Sequence, residues 1–487
     1  RAEQSQKINS LNYFGYNARV FGKSNSRPWR AAITEANAPS SSLTIEPSDT
    51  PEVLPRVRPR SEHSISRKQI DPDALKVLYR LSSAGYKAYL VGGSVRDLLL
   101  GRTPKDFDIG TDAHPQALRR LFRNCRLIGR RFRLAHILFA DGKVIEVATF
   151  RRRPETADPD APELLMTSDN TFGTAREDAL RRDFTINGLF YDISDFSVID
   201  YVGGLDDLEA GLLRTIGDAQ IRFREDPVRM LRGVEFASRL GFAITPDGYE
   251  AVLECRKDIA KSAPPRVTEE LLQSLRGGHA LPTFLLLREV GLLDVLLPEL
   301  ADVLREIDPD HPHGTGHLFW ALLEILDAER RRGRPFDDAA LFGLFFLPIA
   351  RARVRQAVPG GDPDPAVLGR ILEDLVPPIA IRMSLPHAIS HRIQQALATI
   401  GRFSYRPDNR LATRRIAFRE TFSTALDLFE LGALATGRGE ELAREWRAYG
   451  DRARKTRESF ETDTPADPRG PAATRRRRGG RGRGPRA

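Results

Sequence analysis

Cysteine is scarce in this chain: Cys125 and Cys255 are the only two among 487 residues. Two thiols cannot build a disulfide framework, which suits a reducing compartment and leaves both expected as buried apolar side chains. Long hydrophobic runs are lacking too. No stretch approaches the ~20 uninterrupted apolar residues of a membrane span. The nearest, residues 339–350, contains Pro348 and runs into Arg351 and Arg353, so it reads as a buried helix. No internal repeat marks a solenoid. Acidic residues are missing from one end: residues 469–487 hold eight arginines and no Asp or Glu. That segment carries +8 of a formal net charge of +9, so the rest of the chain is close to neutral. A disordered Arg/Gly tail suits an anionic partner, foremost nucleic acid, and the plainer alternative is a solubilising tail.

What is present is enough apolar material, 41% of residues, for real cores. The length favours roughly two to four domains. Residues 1–62 are rich in Ser, Asn and Pro without sustained periodicity and read as a disordered extension. Basic Lys7, Arg19, Lys23 and Arg27 against the single acid Glu3 also fit an organellar targeting peptide, although no amphipathic Arg-rich helix stands out. Order begins near Ile65. The apolar spacing of Leu75, Val77, Leu78 and Leu81 predicts a helix over 73–84, ended by Gly85. Strands are predicted at 89–91, 107–109, 137–139 and 144–150, with helices at 94–100 and 116–122. Alternating short elements predict an α+β head over 63–203. Beyond it, helical patterns at 227–240, 269–275, 282–290, 318–329 and 415–431 predict an all-helical remainder, with the tail from about 461.

Asp106 and Asp108 lie two apart on a predicted strand, so both carboxylates face one way while Phe107 and Ile109 face a core. Adjacent carboxylates repel, and a divalent cation relieves that repulsion. Mg²⁺ favours carboxylate, water and phosphate oxygens. A solvated acidic pair is the bland reading of Asp-x-Asp alone. Upstream, Gly92 and Gly93 form a turn into a helix beginning at Ser94, a geometry that binds phosphate, with Arg96 one turn on. Downstream, Glu146 is an isolated acid in an apolar strand. It is either an edge-strand surface acid or a third carboxylate completing the site. Three carboxylates, two Mg²⁺ ions and a triphosphate make a two-metal scheme.

Five ordered blocks carry a resemblance. Leu90-Val91-Gly92-Gly93-Ser94-Val95-Arg96-Asp97, Asp106-Phe107-Asp108, the run from Arg181 to Gly188, the run from Tyr201 to Leu208 and the run from Arg224 to Arg232 together resemble the class II nucleotidyltransferases. That group comprises CCA-adding tRNA enzymes and bacterial poly(A) polymerases of the DNA polymerase beta superfamily. The segments from Ile65 and from Phe122 to His136, with the Arg-rich end, are similar to the poly(A) branch. The resemblance implies a DNA polymerase beta-like α+β head, a helical neck over 204–275, a helical RNA-binding body over 276–460 and a disordered basic tail over 461–487.

The resemblance also implies roles. Asp106, Asp108 and Asp183 would be the catalytic acids, with Asp106, Asp108 and Glu146 holding two Mg²⁺ ions. Gly92, Gly93, Ser94 and Arg96 would cradle the triphosphate of ATP. Arg182, Asp183 and Asn187 would contact sugar and phosphates. Asp226 and Arg229 would face the base edge, with Arg232 in the same set. Read alone, Arg181-Arg182-Asp183 is a surface salt bridge and 225–232 a charged helix start. Arg130, Arg131 and Arg133 suggest a basic face for RNA, joined by Arg475, Arg476, Arg477 and Arg478 in the tail. His136 is either a phosphate contact or a packed strand-end histidine. His311, His313 and His317 read as a polar loop, since Pro312 and two glycines break any ligand face. The expected activity is template-independent addition of AMP from ATP to RNA 3′ ends, in a bacterial cytoplasm. CCA addition to tRNA and non-catalytic RNA binding are the alternatives.

Overall fold

The structure is a computed structural model and describes residues 54–129, 134–152, 171–305, 315–361, 363–408 and 410–462. The expected RNA contacts Arg130, Arg131, Arg133 and Arg475, Arg476, Arg477 and Arg478 lie outside these, as do His311, His313 and the first 53 residues.

The head is built on one mixed sheet. Its strands in chain order are β1 (Arg56–Arg58), β2 (Ala88–Val91), β3 (Ile109–Thr111), β4 (Cys125–Ile128), β5 (Leu134–Leu138), β6 (Val144–Thr149), β7 (Leu189–Asp192) and β8 (Val198–Asp200). They lie side by side as β1-β8-β7-β2-β3-β6-β5-β4. β3 and β6 run parallel, setting Ile109 opposite Val147, and the other neighbours run antiparallel. Helices α1 (Pro72–Ser83), α2 (Gly93–Leu99), α3 (Pro115–Leu121) and α4 (Ala175–Arg181) complete the head. Local chemistry sets α1: Asp71 caps it by accepting from the N–H groups of Asp73 and Ala74, and Pro72 fixes its first turn. Its apolar stripe, Ala74, Val77, Leu78 and Leu81, is fully buried. The helix ends before Gly85, where φ is +86°.

The chain then becomes mostly helical, not all-helical as expected: Leu212–Leu213 and Ala243–Ile244 pair as a short parallel two-stranded sheet. The neck runs through α5 (Gly204–Ala210), α6 (Ala219–Glu225), α7 (Val228–Leu240), α8 (Pro246–Cys255) and α9 (Pro264–Arg276). Next come α10 (Ala280–Glu289), α11 (Leu292–Leu296), α12 (Pro298–Arg305), α13 (Thr315–Arg331) and α14 (Asp338–Ala357). The last are α15 (Pro365–Arg382), α16 (His387–Ile400), α17 (Leu411–Ala417), α18 (Phe422–Thr436) and α19 (Glu440–Thr462). α7 packs against α9 and α10, and α13, α14, α16 and α18 form the centre of the body. There Phe284 lies 5.8 Å from Phe319 and 5.3 Å from Phe345, centroid to centroid. Gly343 lets α14 approach α18 closely, because a Cβ there would meet Leu428 at 2.7 Å.

Several expectations are corrected. Asp106 and Asp108 precede β3, which begins at Ile109, although Val91 N–H still donates to Asp108 O at 3.0 Å. The expected alternation survives: Phe107 is half-buried, Ile109 buried and both acids exposed. β6 sits inside the sheet, so Glu146 is not an edge acid. Cys255 is buried but Cys125 is half-buried on β4. The single helix expected over 415–431 is broken between Ala417 and Phe422. His317 belongs to α13, not to a loop. No helix among the described residues is long and apolar enough to cross a membrane.

Candidate active site

The site grows from two adjacent strand ends. Because β3 and β6 pair in parallel with Ile109 opposite Val147, the residues before them, Asp108 and Glu146, come side by side. Solvent reaches both. Even so, the surrounding protein strips part of the hydration from Asp108, and the Glu146 charge adds to this. Arg182 opposes and Asp106 contributes further, so the Asp108 carboxyl is pushed up to about 6. Asp106 is the most open of the set, with Lys105 Nζ 3.9 Å away. Glu146 faces His136 across the β5–β6 register, Oε1 to Nε2 3.3 Å. His136 is thus a cross-strand partner in mid-strand. Among the described residues no three acids or histidines converge closely enough to enclose a metal ion. The donors are nonetheless of the type Mg²⁺ favours: carboxylate oxygens, one of them on Asp108, which is raised first by lost hydration and then by the Glu146 charge.

The glycine turn lies beside this acid set. Gly92 has φ +69° and ψ −127°, a backbone that side chains other than glycine rarely adopt. A Cβ at Gly92 would also come within 2.8 Å of Arg182 Nη1. Two requirements therefore fix one residue. Gly93 starts α2, and Ser94 is buried with its hydroxyl donating to Val91 O at 3.1 Å. Ser94 thereby holds the strand-to-helix turn while the first-turn N–H groups of α2 stay without intrahelical partners.

Arg182 is aimed by a residue that sequence reasoning missed. Asp178, buried on α4, accepts from Arg182 Nε and Nη2 at 3.1 and 2.9 Å and from Arg181 Nε at 3.1 Å. Burial alone would raise the Asp178 carboxyl, but the two arginines outweigh it and hold the group below its usual range. Spacing of three and four residues to Arg181 and Arg182 was the available signal. Arg182 also donates to Asn187 O at 3.2 Å and stacks over Phe190, 5.3 Å to the centroid.

The other motif residues form a buried seam between head and neck. Asp183 accepts from Phe184 N–H at 2.8 Å, Asn187 Nδ2 at 3.0 Å and Arg232 Nε at 2.8 Å. Burial would raise this carboxyl, but Arg232 and the two hydrogen bonds drive it far below the normal range. Arg232 is raised in turn, chiefly by Asp183. Asn187 Oδ1 accepts from Arg96 Nη1 at 2.5 Å, and Arg96 also donates to Asp97 at 2.9 Å. Only 3% of Arg96 is exposed, so it braces the turn from inside instead of lining an open phosphate cradle. The Phe236 ring on α7 takes three guanidiniums, from Arg96 and Arg232 at 5.2 Å and Arg239 at 5.5 Å. Phe236 was missed because an apolar helix residue looks like any core residue.

The residues expected at the base edge are also engaged. Asp226 takes both Arg266 nitrogens, at 2.9 and 2.8 Å. Arg229 is buried, donating to Arg222 O at 3.1 Å and Glu225 at 3.3 Å. Arg266 lies forty residues away on another helix and left no local signal.

Open acids beside a glycine turn, backed by a rigid basic seam, suit a reaction in which a phosphoryl group is positioned and its charge offset while no covalent enzyme adduct forms. Fold and site together define a nucleotidyltransferase. Residues 88–214 match the family model "Poly A polymerase head domain", and residues 241–304 match "Probable RNA and SrmB- binding site of polymerase A". Poly(A) polymerase I of Salmonella typhi is 38% identical over 459 residues, covering 91% of this chain and 96% of that protein. The CCA-adding enzyme of Geobacillus stearothermophilus is 38% identical over 230 residues, 47% of this chain and 55% of that protein. The crystal structure of the Bacillus stearothermophilus CCA-adding enzyme in complex with CTP superposes with a TM-score of 0.55 at 27% identity, covering 78% of this chain and 83% of that one. The chain belongs to the poly(A) polymerase family.

Proposed function

We propose that this protein is a template-independent polynucleotide adenylyltransferase, adding AMP from ATP to RNA 3′ ends and releasing pyrophosphate. The observation that carries this reading is coverage: similarity to a poly(A) polymerase spans 91% of the chain, while similarity to a CCA-adding enzyme at the same identity spans 47%. In this reading residues 63–203 with β1 (Arg56–Arg58), which the expected 1–62 extension would have left out, are the catalytic head, 204–275 the neck, 276–460 the RNA-binding body and 461–487 a tail that aids RNA capture, acting on RNA in the cytoplasm.

The RNA 3′-hydroxyl attacks the α-phosphorus in line and pyrophosphate leaves. Asp106, Asp108 and Glu146 would hold Mg²⁺, which when bound supplies charge neutralisation for the attacking and leaving oxygens. The α2 turn at Gly92 and Gly93 lets phosphates approach the backbone, and Arg182, aimed by Asp178, offsets their charge. Asp183, Asn187, Arg96 and Arg232 hold that turn against the neck. Asp226, its carboxylate oriented by Arg266, faces the base edge, and the buried Arg229 stands behind it, held by Arg222 O and Glu225.

The test is incorporation by the purified protein given Mg²⁺, ATP alone and a generic RNA. Long adenylate tails are expected. Strict addition of C, C and A to tRNA lacking its end, without tailing of generic RNA, would overturn the assignment in favour of CCA addition.

A further inference from the structure

The body carries a surface that the head chemistry does not use. Residues 401–420 hold six arginines against two acids. α17, within this stretch, is barely buried; Ala417 is its one buried residue. Leu411, Arg414, Arg415 and Phe418 recur at i, i+3, i+4 and i+7, so they share one face. All four are exposed, Leu411 to 63% and Phe418 to 41%.

The preceding loop adds Tyr405, 69% exposed. That exposure is built into the fold. Phe403, two residues earlier, is fully buried against Phe422, Phe429 and Trp446. Trp446 Nε1 then donates to Tyr405 O at 2.8 Å. With the backbone pinned on both counts, the Tyr405 ring is left in solvent.

Ion pairing divides the arginines. Arg406 is engaged by Glu441 at 3.0 Å and Glu445 at 3.5 Å, and Arg410 by Asp408 at 3.1 Å. Arg402, Arg414, Arg415 and Arg419 are exposed and have no ion-pair partner among the described residues. A purely solubilising face would not interleave large apolar side chains with unpaired cations. Alternating guanidinium and aromatic groups match a polymer that alternates phosphate with base.

We propose that the exposed face of α17 with Arg414, Arg415 and Phe418, together with the exposed Tyr405 ring, binds single-stranded RNA upstream of the 3′ end, guanidiniums on phosphates and rings stacked on bases. Trp446, which holds the Tyr405 backbone, belongs to the same α19 on which α17 packs. This rests on RNA being the substrate, as argued above. α17 packs on α19, and α19 on α18, all within the body, so this surface is carried by helices other than the elements that hold Asp106, Asp108 and Glu146. The surface would keep a growing product attached while its end is released and re-seated.

The experiment is equilibrium binding of a 5′-labelled oligoadenylate 20-mer to the full chain across a salt series, without ATP. Arg414→Ala with Arg415→Ala is expected to weaken binding about tenfold and flatten the log–log salt slope by about 1.4, two phosphate contacts at ~0.7 each. Tyr405→Ala with Phe418→Ala is expected to weaken binding about tenfold with the slope unchanged. Lysine at 414 and 415 should restore the slope. Unchanged ATP binding and melting temperature in each variant show that the fold is intact. An unchanged slope and affinities within twofold of wild type would overturn the proposal and leave an acidic protein as the occupant. Because no chemistry is read, a slope change in a protein that fails to tail RNA would sink the polymerase reading and keep this surface.

Discussion

The acids of the head and the acids of the seam differ in how they are held. Asp106, Asp108 and Glu146 reach solvent, and Asp108 is pushed up to about 6, first by partial loss of hydration and then by the charge of its acidic neighbours. Asp97 and Asp183 belong to the sequence motifs and Asp178 lies just ahead of one; Asp97 and Asp178 are buried, Asp183 is part-buried, and each is gripped by arginine. The first group has charge in need of a partner; the second has its partner already. The proposed mechanism assigns chemistry to the unsatisfied group and positioning to the satisfied one. Sequence motifs run the two together, since both are read as conspicuous acids near arginines.

Breaking the first group should have the largest effect. Asp106→Ala with Asp108→Ala is expected to lower adenylate incorporation about 1,000-fold, roughly 4 kcal/mol of barrier, while thermal melting holds or improves. Incorporation within tenfold of wild type would show that these acids are not the reacting centre. Breaking the second group should act differently. Arg232→Met leaves the part-buried Asp183 carboxylate without its cation, and is expected to cost roughly 2–4 kcal/mol of stability, less than a fully buried pair because Arg232 is part-exposed. Activity should fall about 10- to 100-fold, mainly through KM for ATP. Adding Asp183→Asn should recover most of the melting temperature; if it does not, the seam is not held by this pair.

The smallest expected effect sharpens the contrast through pH. The Asp108 carboxyl binds its proton more tightly in the fold, about 6 against an ordinary ~3.9 unfolded. Its contribution to stability is therefore fully present below the unfolded value and lost as pH rises through about 6. In metal-free buffer Asp108→Asn should melt higher than wild type at pH 8, by no more than ~1 kcal/mol once solvent screening is allowed for, and equally at pH 4. A lower melting temperature at pH 8 would show that the charge is stabilised, not strained. Asp183, depressed instead, contributes stability present above the unfolded value and lost as pH falls.

Legibility in the sequence followed the range of the interactions. The outward placement of Asp106 and Asp108 and the Gly92 turn into a helix were readable because residue alternation and glycine geometry are local, although the strand itself starts only at Ile109. The helix over 72–83 was readable for the same reason, with its cap, proline and apolar stripe in one short segment. β7 and β8 were not foreseen, although Leu189-Phe190-Tyr191 is a short apolar run of strand-forming residues. Their place is set by pairing with β2 and β1 across more than a hundred residues. The break between α17 and α18 falls in Phe418-Arg419-Glu420-Thr421, without glycine or proline to announce it. The engagement of Arg96 and Asp226 was invisible because their partners, Asn187 and Arg266, come from elsewhere in the chain.

β1 governs where the chain can be shortened. It closes one side of the sheet on β8, and Arg56 and Arg58 bind Asp206 and Glu209 of α5. A protease cut or a designed start beyond Arg58 would strip this strand away and leave β8 paired only with β7, its other edge bare. Bare strand edges recruit other strands, including those of a second copy. This first strand of the head sheet thus covers an edge of β8 that would otherwise be open, and a trimmed protein should be judged first by whether it stays monodisperse.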